Sequence, residues 1–144
     1  MTTQLGVLGA LVLVTVVVGA FWRRRQGSVR TVPVRQGAAV DWAARGLDLG
    51  ERATFVQLSA AVCAPCRATA RVLRDLADRE AGVEHHELDV EEHLDLVRDL
   101  GVLRTPTVLV LDGSGAHAAR ASGGMSPAQA RRALDAALSG AERP

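Results

Sequence analysis

The two cysteines of the chain are separated by one alanine and one proline, in the segment Cys63-Ala64-Pro65-Cys66. Two thiols at this spacing can carry out thiol–disulfide exchange, in which one thiolate attacks a disulfide and the second resolves the mixed disulfide. The same thiolates can instead supply half of a zinc or copper site. A purely structural disulfide is a weaker interpretation, because closing so short a loop removes little chain entropy.

A metal site would need two further ligands, for which the histidines are the available residues. The chain has no second CxxC pair and no HxxxH pair. His85 and His86 are consecutive in a predicted strand, so their side chains should point to opposite faces. A metal carrier therefore stays as the alternative to redox chemistry, and each histidine, with His93 and His117, is interpreted as a surface residue.

The cysteine pair lies at the beginning of a predicted helix that directly follows a predicted strand. Residues 53–58 form a compact strand pattern, and residues 63–79 have apolar side chains at helical spacing. The N–H groups and the dipole at a helix N-terminus favour a thiolate, so Cys63 should be the exposed, attacking thiol. Cys66, one turn further on, should be the shielded, resolving thiol. Pro65 sets the backbone of the first turn.

The remaining elements predict an α/β domain with a central mixed sheet. Parallel crossovers come first, an antiparallel hairpin comes last, and helices cover both faces. The further predicted elements are a short helix around Trp42 at 39–49, a strand at 83–90, a short helix at 91–100, a strand at 107–111, its hairpin partner at 116–122 and a last helix that begins at Ser126-Pro127.

A proline stands directly before the strongest strand, in the segment Thr105-Pro106-Thr107. Proline is unusual at the mouth of a central strand, and a cis bond there would expose the preceding backbone to a bound partner. We therefore expect Thr105 to contact substrate, together with Ala64 and Pro65 between the cysteines.

From about Leu49 to Leu138 the sequence resembles the thioredoxin family, most of all its membrane-tethered members in high-GC Gram-positive bacteria. The resemblance is carried by four motifs: Cys63-Ala64-Pro65-Cys66-Arg67, L-D-V-E-E at 88–92, G-V-L-R-T-P-T at 101–107, and Gly123 before the last helix. It implies a thioredoxin-like fold.

The resemblance also implies the chemistry. Cys63 would be the nucleophile, Cys66 the resolving thiol and Pro106 a cis-proline beside them. No separate cofactor is implied, because the redox-active disulfide Cys63–Cys66 carries the electrons. The expected activity is that of a thiol–disulfide oxidoreductase acting on protein disulfides and dithiols, as a reductase because the Ala-Pro dipeptide resembles that of reducing thioredoxins. Thioredoxin reductase or a low-molecular-weight thiol would be the electron donor.

Three positions depart from the family pattern. Val62 stands where the family usually has tryptophan, which argues against a general-purpose thioredoxin. The family's buried aspartate falls on Gln57, which cannot take a proton, and a nearby lysine position falls on Glu87. Our hypothesis is that the base for the resolving thiol has moved to Glu87. The alternative is that Glu87 is a solvated strand carboxylate and that water carries the proton.

Two other function classes stay open beside the enzyme. One is the metal carrier, and the other is a redox sensor or assembly factor that binds a membrane partner. The formal net charge is +1, so no basic field for nucleic acid is present.

The first residues have a different composition. Residues 5–22 carry no charged side chain, and Arg23, Arg24 and Arg25 follow at once. About 18 helical residues span roughly 27 Å, close to the hydrocarbon thickness of a bilayer. The segment predicts a transmembrane helix in the lipid bilayer, rather than a cleaved signal peptide, because no basic residue precedes the apolar run.

The predicted organisation follows from these boundaries: a tail at 1–4, a transmembrane helix at 5–22, a basic juxtamembrane linker at 23–37, the thioredoxin-like domain at 38–140 and a tail at 141–144. The arginines after the helix put the domain on the cytoplasmic side by the positive-inside rule. Many tethered relatives face outward, so the extracytoplasmic side is the alternative.

Overall fold

A computed structural model describes residues 2–25 and 40–140 of the chain, with side chains for residues 6–21 and 40–140. The predicted linker beyond Arg25 and the predicted tail at 141–144 lie outside the described residues.

The described part of the domain is built on one four-stranded sheet, with the order β2-β1-β3-β4. The strands are β1 (Ala53–Ser59), β2 (Val83–Asp89), β3 (Thr107–Asp112) and β4 (His117–Ser122). The β1–β2 pair is parallel, whereas β3 is antiparallel to both β1 and β4. The central strands β1 and β3 are almost continuously buried, as expected for apolar strands covered on both faces. The prediction of a mixed α/β sheet is confirmed.

Helices pack on both faces of this sheet. Helices α2 (Ala64–Ala77) and α4 (Pro127–Gly140) cover one face, while the short helix α3 (Leu94–Asp99) covers the other. Alternation along β1 explains the two cores, because Phe55 lies in the first and Val56 in the second. A capping box begins α4: the Ser126 N–H donates to Gln129 Oε1 at 2.8 Å, and the Gln129 N–H donates to Ser126 Oγ at 3.4 Å.

The short helix predicted around Trp42 is wrong in the part that the structure describes. Only a single 3₁₀ turn forms there, at Ala43–Arg45. Gly46 ends it in the left-handed region, with φ 74°, and its missing Cβ makes that conformation accessible. Trp42 itself is buried in the core on the α3 face, as its interpretation as a packing residue requires.

The transmembrane helix predicted at 5–22 is not supported. The segment is helical, within α1 (Thr2–Arg25). However, among the described residues no helix is both long and apolar enough to cross a membrane.

Candidate active site

The two cysteines form a disulfide at the beginning of α2. The Sγ–Sγ distance is 2.04 Å and the Cα–Cα distance is 5.2 Å. Cys63 is the N-cap residue, and its sulfur accepts a hydrogen bond from the Cys66 backbone N–H at 3.2 Å. The side chains differ in access, since Cys63 is 9% exposed and Cys66 is 1% exposed. An incoming disulfide therefore meets Cys63 before Cys66.

Local sequence explains why the helix begins at this pair. Cys63 has an extended backbone, with φ −144° and ψ 98°, as an N-cap residue requires. Pro65 lies in the first turn, where its missing N–H costs no helical hydrogen bond. The cysteine pair is thus held at the positive end of the helix, which favours negative charge on the Cys63 sulfur.

A second loop packs beside the Cys63 sulfur. The Thr105–Pro106 peptide bond is cis, and Thr105 Oγ1 lies 3.9 Å from Cys63 Sγ. The Pro106 carbonyl accepts a hydrogen bond from the Gly123 N–H at 2.8 Å. Two apolar side chains on these loops are almost fully exposed, Val62 at 96% and Leu103 at 94%. The accessible sulfur therefore lies in a surface with apolar contacts available to a partner.

The beginning of this second loop is anchored by an arginine that the sequence did not single out. Arg120 of β4 donates from Nη1 to the Leu100 carbonyl at 2.6 Å and from Nη2 to the Gly101 carbonyl at 3.0 Å. Both carbonyls lie at the C-terminal end of α3. Partial burial lowers the pKa of Arg120 from its usual value, but the guanidinium stays charged in proteins.

Behind Cys66 lies a polar cluster centred on Gln57. The Gln57 side chain is fully buried. Its Nε2 lies 2.8 Å from Ser59 Oγ, 3.0 Å from the Cys66 carbonyl oxygen and 3.2 Å from Glu87 Oε1. The carbonyl and the carboxylate can only accept, so the amide nitrogen must face them. The structure thus brings the predicted Glu87 to the Gln57 side chain.

Glu87 reaches Cys66 through this cluster. Gln57 and Glu87 are register partners on the parallel strands β1 and β2. Ser59 Oγ donates to Glu87 Oε1 at 2.7 Å, so one carboxylate oxygen accepts from two side chains. Ser59 was missed in the sequence, although its position two residues after Gln57 places it on the same face of the strand.

Two histidines interpreted as surface residues are partly buried. His85 is partly buried, and its Nε2 is buried without a hydrogen-bond partner among the described residues. Burial lowers its pKa to about 4, against the opposing effect of Glu87 and with smaller lowering by Arg74 and His86. The His117 ring packs on Trp42 with centroids 5.9 Å apart, and burial, followed by Arg120, lowers its pKa. Within the described ranges, no group of three or more His, Cys, Asp or Glu is placed to hold a metal.

The comparisons with known proteins agree with this geometry. A family model described as Thioredoxin matches residues 45–136. The structure is similar to chloroplastic thioredoxin z at 26% identity, with a TM-score of 0.53 and coverage of 59% of this chain and 77% of that chain. It is also similar to Fasciola hepatica thioredoxin at 25% identity, with a TM-score of 0.54 and coverage of 61% and 83%.

A third structure, thioredoxin NaTrxh from Nicotiana alata, shares the fold at 24% identity, with a TM-score of 0.53 and coverage of 60% of this chain and 75% of that chain. A search of curated proteins found no match. Since the family model covers most of the domain, the chain belongs to the thioredoxin family. With its CxxC pair, it is a thiol–disulfide oxidoreductase.

Proposed function

We propose that this oxidoreductase reduces protein disulfides, with Cys63 as the nucleophile and Cys66 as the resolving thiol. The observation that carries the assignment is the difference in access between the two sulfurs, 9% against 1%, at the N-terminal end of a helix. The sulfur that is reached first and favoured as a thiolate is the one that attacks.

The reaction balances in two exchanges. The Cys63 thiolate attacks one sulfur of the substrate disulfide, which forms a mixed disulfide and releases one substrate thiolate. Cys66, as a thiolate, then attacks Cys63 Sγ, which forms the Cys63–Cys66 disulfide and releases the second substrate thiolate. Two electrons pass to the substrate. Thioredoxin reductase, or two molecules of a low-molecular-weight thiol that are themselves oxidised to a disulfide, supplies two electrons and returns the chain to its reduced form.

The reducing direction is supported by the Ala64-Pro65 dipeptide, which resembles that of reducing thioredoxins. Ala64 and Pro65 are exposed beside the sulfur, and Thr105 is within 3.9 Å of it. These three residues are proposed to contact the substrate, with Pro106 fixing the loop that carries Thr105.

Glu87 is proposed as the base that accepts the proton of Cys66 during resolution. The support is its position: Gln57 Nε2 joins the Glu87 carboxylate to the Cys66 carbonyl. Gln57 cannot accept the proton itself. The carboxylate next to it is therefore the group in the cluster that can.

Trapping tests the assignment of the two thiols. Cys66→Ser should accumulate mixed disulfides with protein substrates through Cys63, and mass spectrometry of the tryptic adduct identifies the attached sulfur. Cys63→Ser should accumulate none and should lose disulfide reduction. Adducts on Cys66 of the Cys63→Ser variant, at a yield similar to that on Cys63, would contradict the proposed roles.

Membrane attachment through residues 5–22, with the domain on the cytoplasmic side, is a separate proposal that rests on the sequence alone, and the described residues give it no support. The charge-free segment followed by three arginines is its basis. If a carbonate wash releases the full chain from the membrane fraction, the proposed attachment is wrong. If a reporter fused to the C-terminus is active only outside the cell, the proposed cytoplasmic location of the domain is wrong.

A further inference from the structure

Gln57 has one polar atom for which the oxidised protein offers no partner. Its Nε2 is surrounded by three acceptors, whereas its Oε1 is buried with no hydrogen-bond partner among the described residues. The orientation of the amide cannot be reversed without placing an oxygen against the Cys66 carbonyl and the Glu87 carboxylate. A buried acceptor without a donor costs about 1–3 kcal/mol.

Reduction creates a donor on Cys66, the residue whose carbonyl the Gln57 amide already contacts. When an external dithiol reduces the disulfide, the Sγ–Sγ bond breaks, two electrons and two protons are taken up, and Cys66 becomes a thiol. Its side chain is only 1% exposed, so its S–H group needs a partner inside the protein. Gln57 is already joined to the same residue, through the Cys66 carbonyl at 3.0 Å.

We infer that Gln57 Oε1 accepts a hydrogen bond from the Cys66 S–H group in the reduced protein, and that this bond favours the dithiol over the disulfide. The acceptor is present in both redox states, but the thiol donor exists only in the reduced one. Gln57 therefore acts as a positioning residue that sets the redox equilibrium. The inference rests on the Cys63–Cys66 couple and depends neither on the direction of physiological transfer nor on Glu87.

A measurement of the redox equilibrium separates the effect of this bond from the other bonds that Gln57 makes in both redox states. Replacing Gln57 by leucine removes the Nε2 bonds from both states, and these losses cancel in the ratio of dithiol to disulfide. The lost Oε1 bond affects the reduced state alone. Since a neutral hydrogen bond contributes about 0.5–1.5 kcal/mol, the variant should shift the equilibrium towards the disulfide by about two- to tenfold.

The first experiment measures this equilibrium in glutathione buffers at one fixed pH. The dithiol–disulfide equilibrium of Gln57→Leu should be shifted towards the disulfide. A tenfold shift corresponds to a reduction potential more negative by about 30 mV. Ser59→Ala is the matched control, because it removes an Nε2 partner and leaves Oε1 untouched. Equal shifts in both variants, or none in Gln57→Leu, would overturn the inference.

A second measurement does not require the Gln57 variant to fold. In a Cys63→Ala protein the Cys66 thiol is the single S–H group, since the chain has two cysteines. Its infrared S–H stretching band should lie at the lower frequency of a hydrogen-bonded thiol. A band at the position of a free thiol in apolar solvent would show that no acceptor is engaged and would overturn the inference. Failure of the trapping experiment would leave both results unaffected.

Discussion

At Cys63 the Thr105 hydroxyl, which belongs to another segment of the chain, lies 3.9 Å from the sulfur. In the disulfide this distance makes a weak contact. Once Cys63 is a thiolate, a hydroxyl beside it can donate a charge-assisted hydrogen bond, which is stronger than a neutral one. The two cysteines thus have different polar neighbours: a hydroxyl for the attacking sulfur and a buried amide for the resolving one.

The hydroxyl at Thr105 leads to the first prediction. Thr105→Val keeps the shape but removes the donor, so a smaller fraction of Cys63 should be thiolate at neutral pH. Alkylation of Cys63 by iodoacetamide should slow by about three- to tenfold, the range expected when one hydrogen bond to a charged group is lost in a partly wet site. Thr105→Ser keeps a hydroxyl and should stay near the wild-type rate. Equal rates for Val and wild type would leave the hydroxyl without a role.

The second prediction concerns Glu87. Glu87→Gln removes the proposed proton acceptor but can keep accepting from Ser59, so the cluster should persist. General-base help is typically worth about 10²–10⁴ in rate. The resolving step should therefore slow strongly, while attack by Cys63 stays nearly unchanged. Stopped-flow kinetics of a preformed mixed disulfide separates the two steps. Glu84→Gln, an exposed carboxylate on the same strand, is the control. Wild-type resolution by Glu87→Gln across pH 6 to 8 would rule out the relocated base.

At the scale of elements, β4 holds the loop that packs beside the Cys63 sulfur. Arg120 donates to the carbonyls of Leu100 and Gly101, and the Gly123 N–H holds the Pro106 carbonyl. Strand β4 thus fixes the loop at both of its ends. Its position at the sheet edge beside β3 makes this possible.

The third prediction tests the Arg120 anchor. Arg120→Lys keeps the charge, but an ammonium cannot reproduce the fork that reaches two carbonyls. Arg120→Met should lower the free energy of unfolding by about 0.5–1.5 kcal/mol, because the partly buried Leu100 carbonyl and the exposed Gly101 carbonyl lose their donor. Arg120→Lys should recover part of this loss. Urea unfolding measures both. Arg132→Lys, on the exposed side of α4, should change the stability little. A full rescue by lysine would contradict the role of the fork.

The secondary-structure elements also show how much of the fold could be predicted from the sequence. β3 was predictable because residues 107–111 are all apolar or β-branched, a pattern that indicates a buried strand. α2 was predictable because its apolar side chains recur at helical spacing and a proline stands in its first turn. The 39–49 helix failed because Gly46 stops it after one turn. The contacts of Arg120 and Ser59 could not be predicted, since they depend on the register between strands and not on local pattern. The pairing of Cys63 with Cys66 was predictable from their spacing, and the cis bond at Pro106 from the resemblance to the thioredoxin family. The hydrogen bonds of Gln57 were not predictable.

At the scale of the whole molecule, a titratable group lies between the sheet and α2. His85 belongs to β2, and burial lowers its pKa to about 4. The groups that affect it are Glu87, Arg74 and His86. In the unfolded chain the pKa of histidine is about 6.5. Between these two values the unfolded chain binds more protons than the folded one.

The fourth prediction follows from this difference. Because the folded-state pKa is depressed, His85 contributes stability that is fully present above about pH 6.5 and is lost as the pH falls towards 4. Partial exposure reduces the expected loss to about 2 kcal/mol. Urea unfolding from pH 7 to pH 4.5 should show this decline, and His85→Gln should show a flatter one. An unchanged slope in the variant would mean that His85 binds its proton in the folded protein as it does in the unfolded chain.

Both sulfur atoms of the 144-residue chain that can be oxidised to a disulfide lie in one bond. Apart from the mixed disulfide, in which Cys66 stays free, each molecule therefore has two labelling outcomes. A maleimide polymer added after acid quenching attaches to two positions in the reduced form and to none in the oxidised form. A single gel lane thus gives the fraction of the protein that is reduced. It needs no added probe domain and no correction for other thiols in the chain. A protein whose own gel mobility reports its redox state can be followed in samples quenched from growing cells.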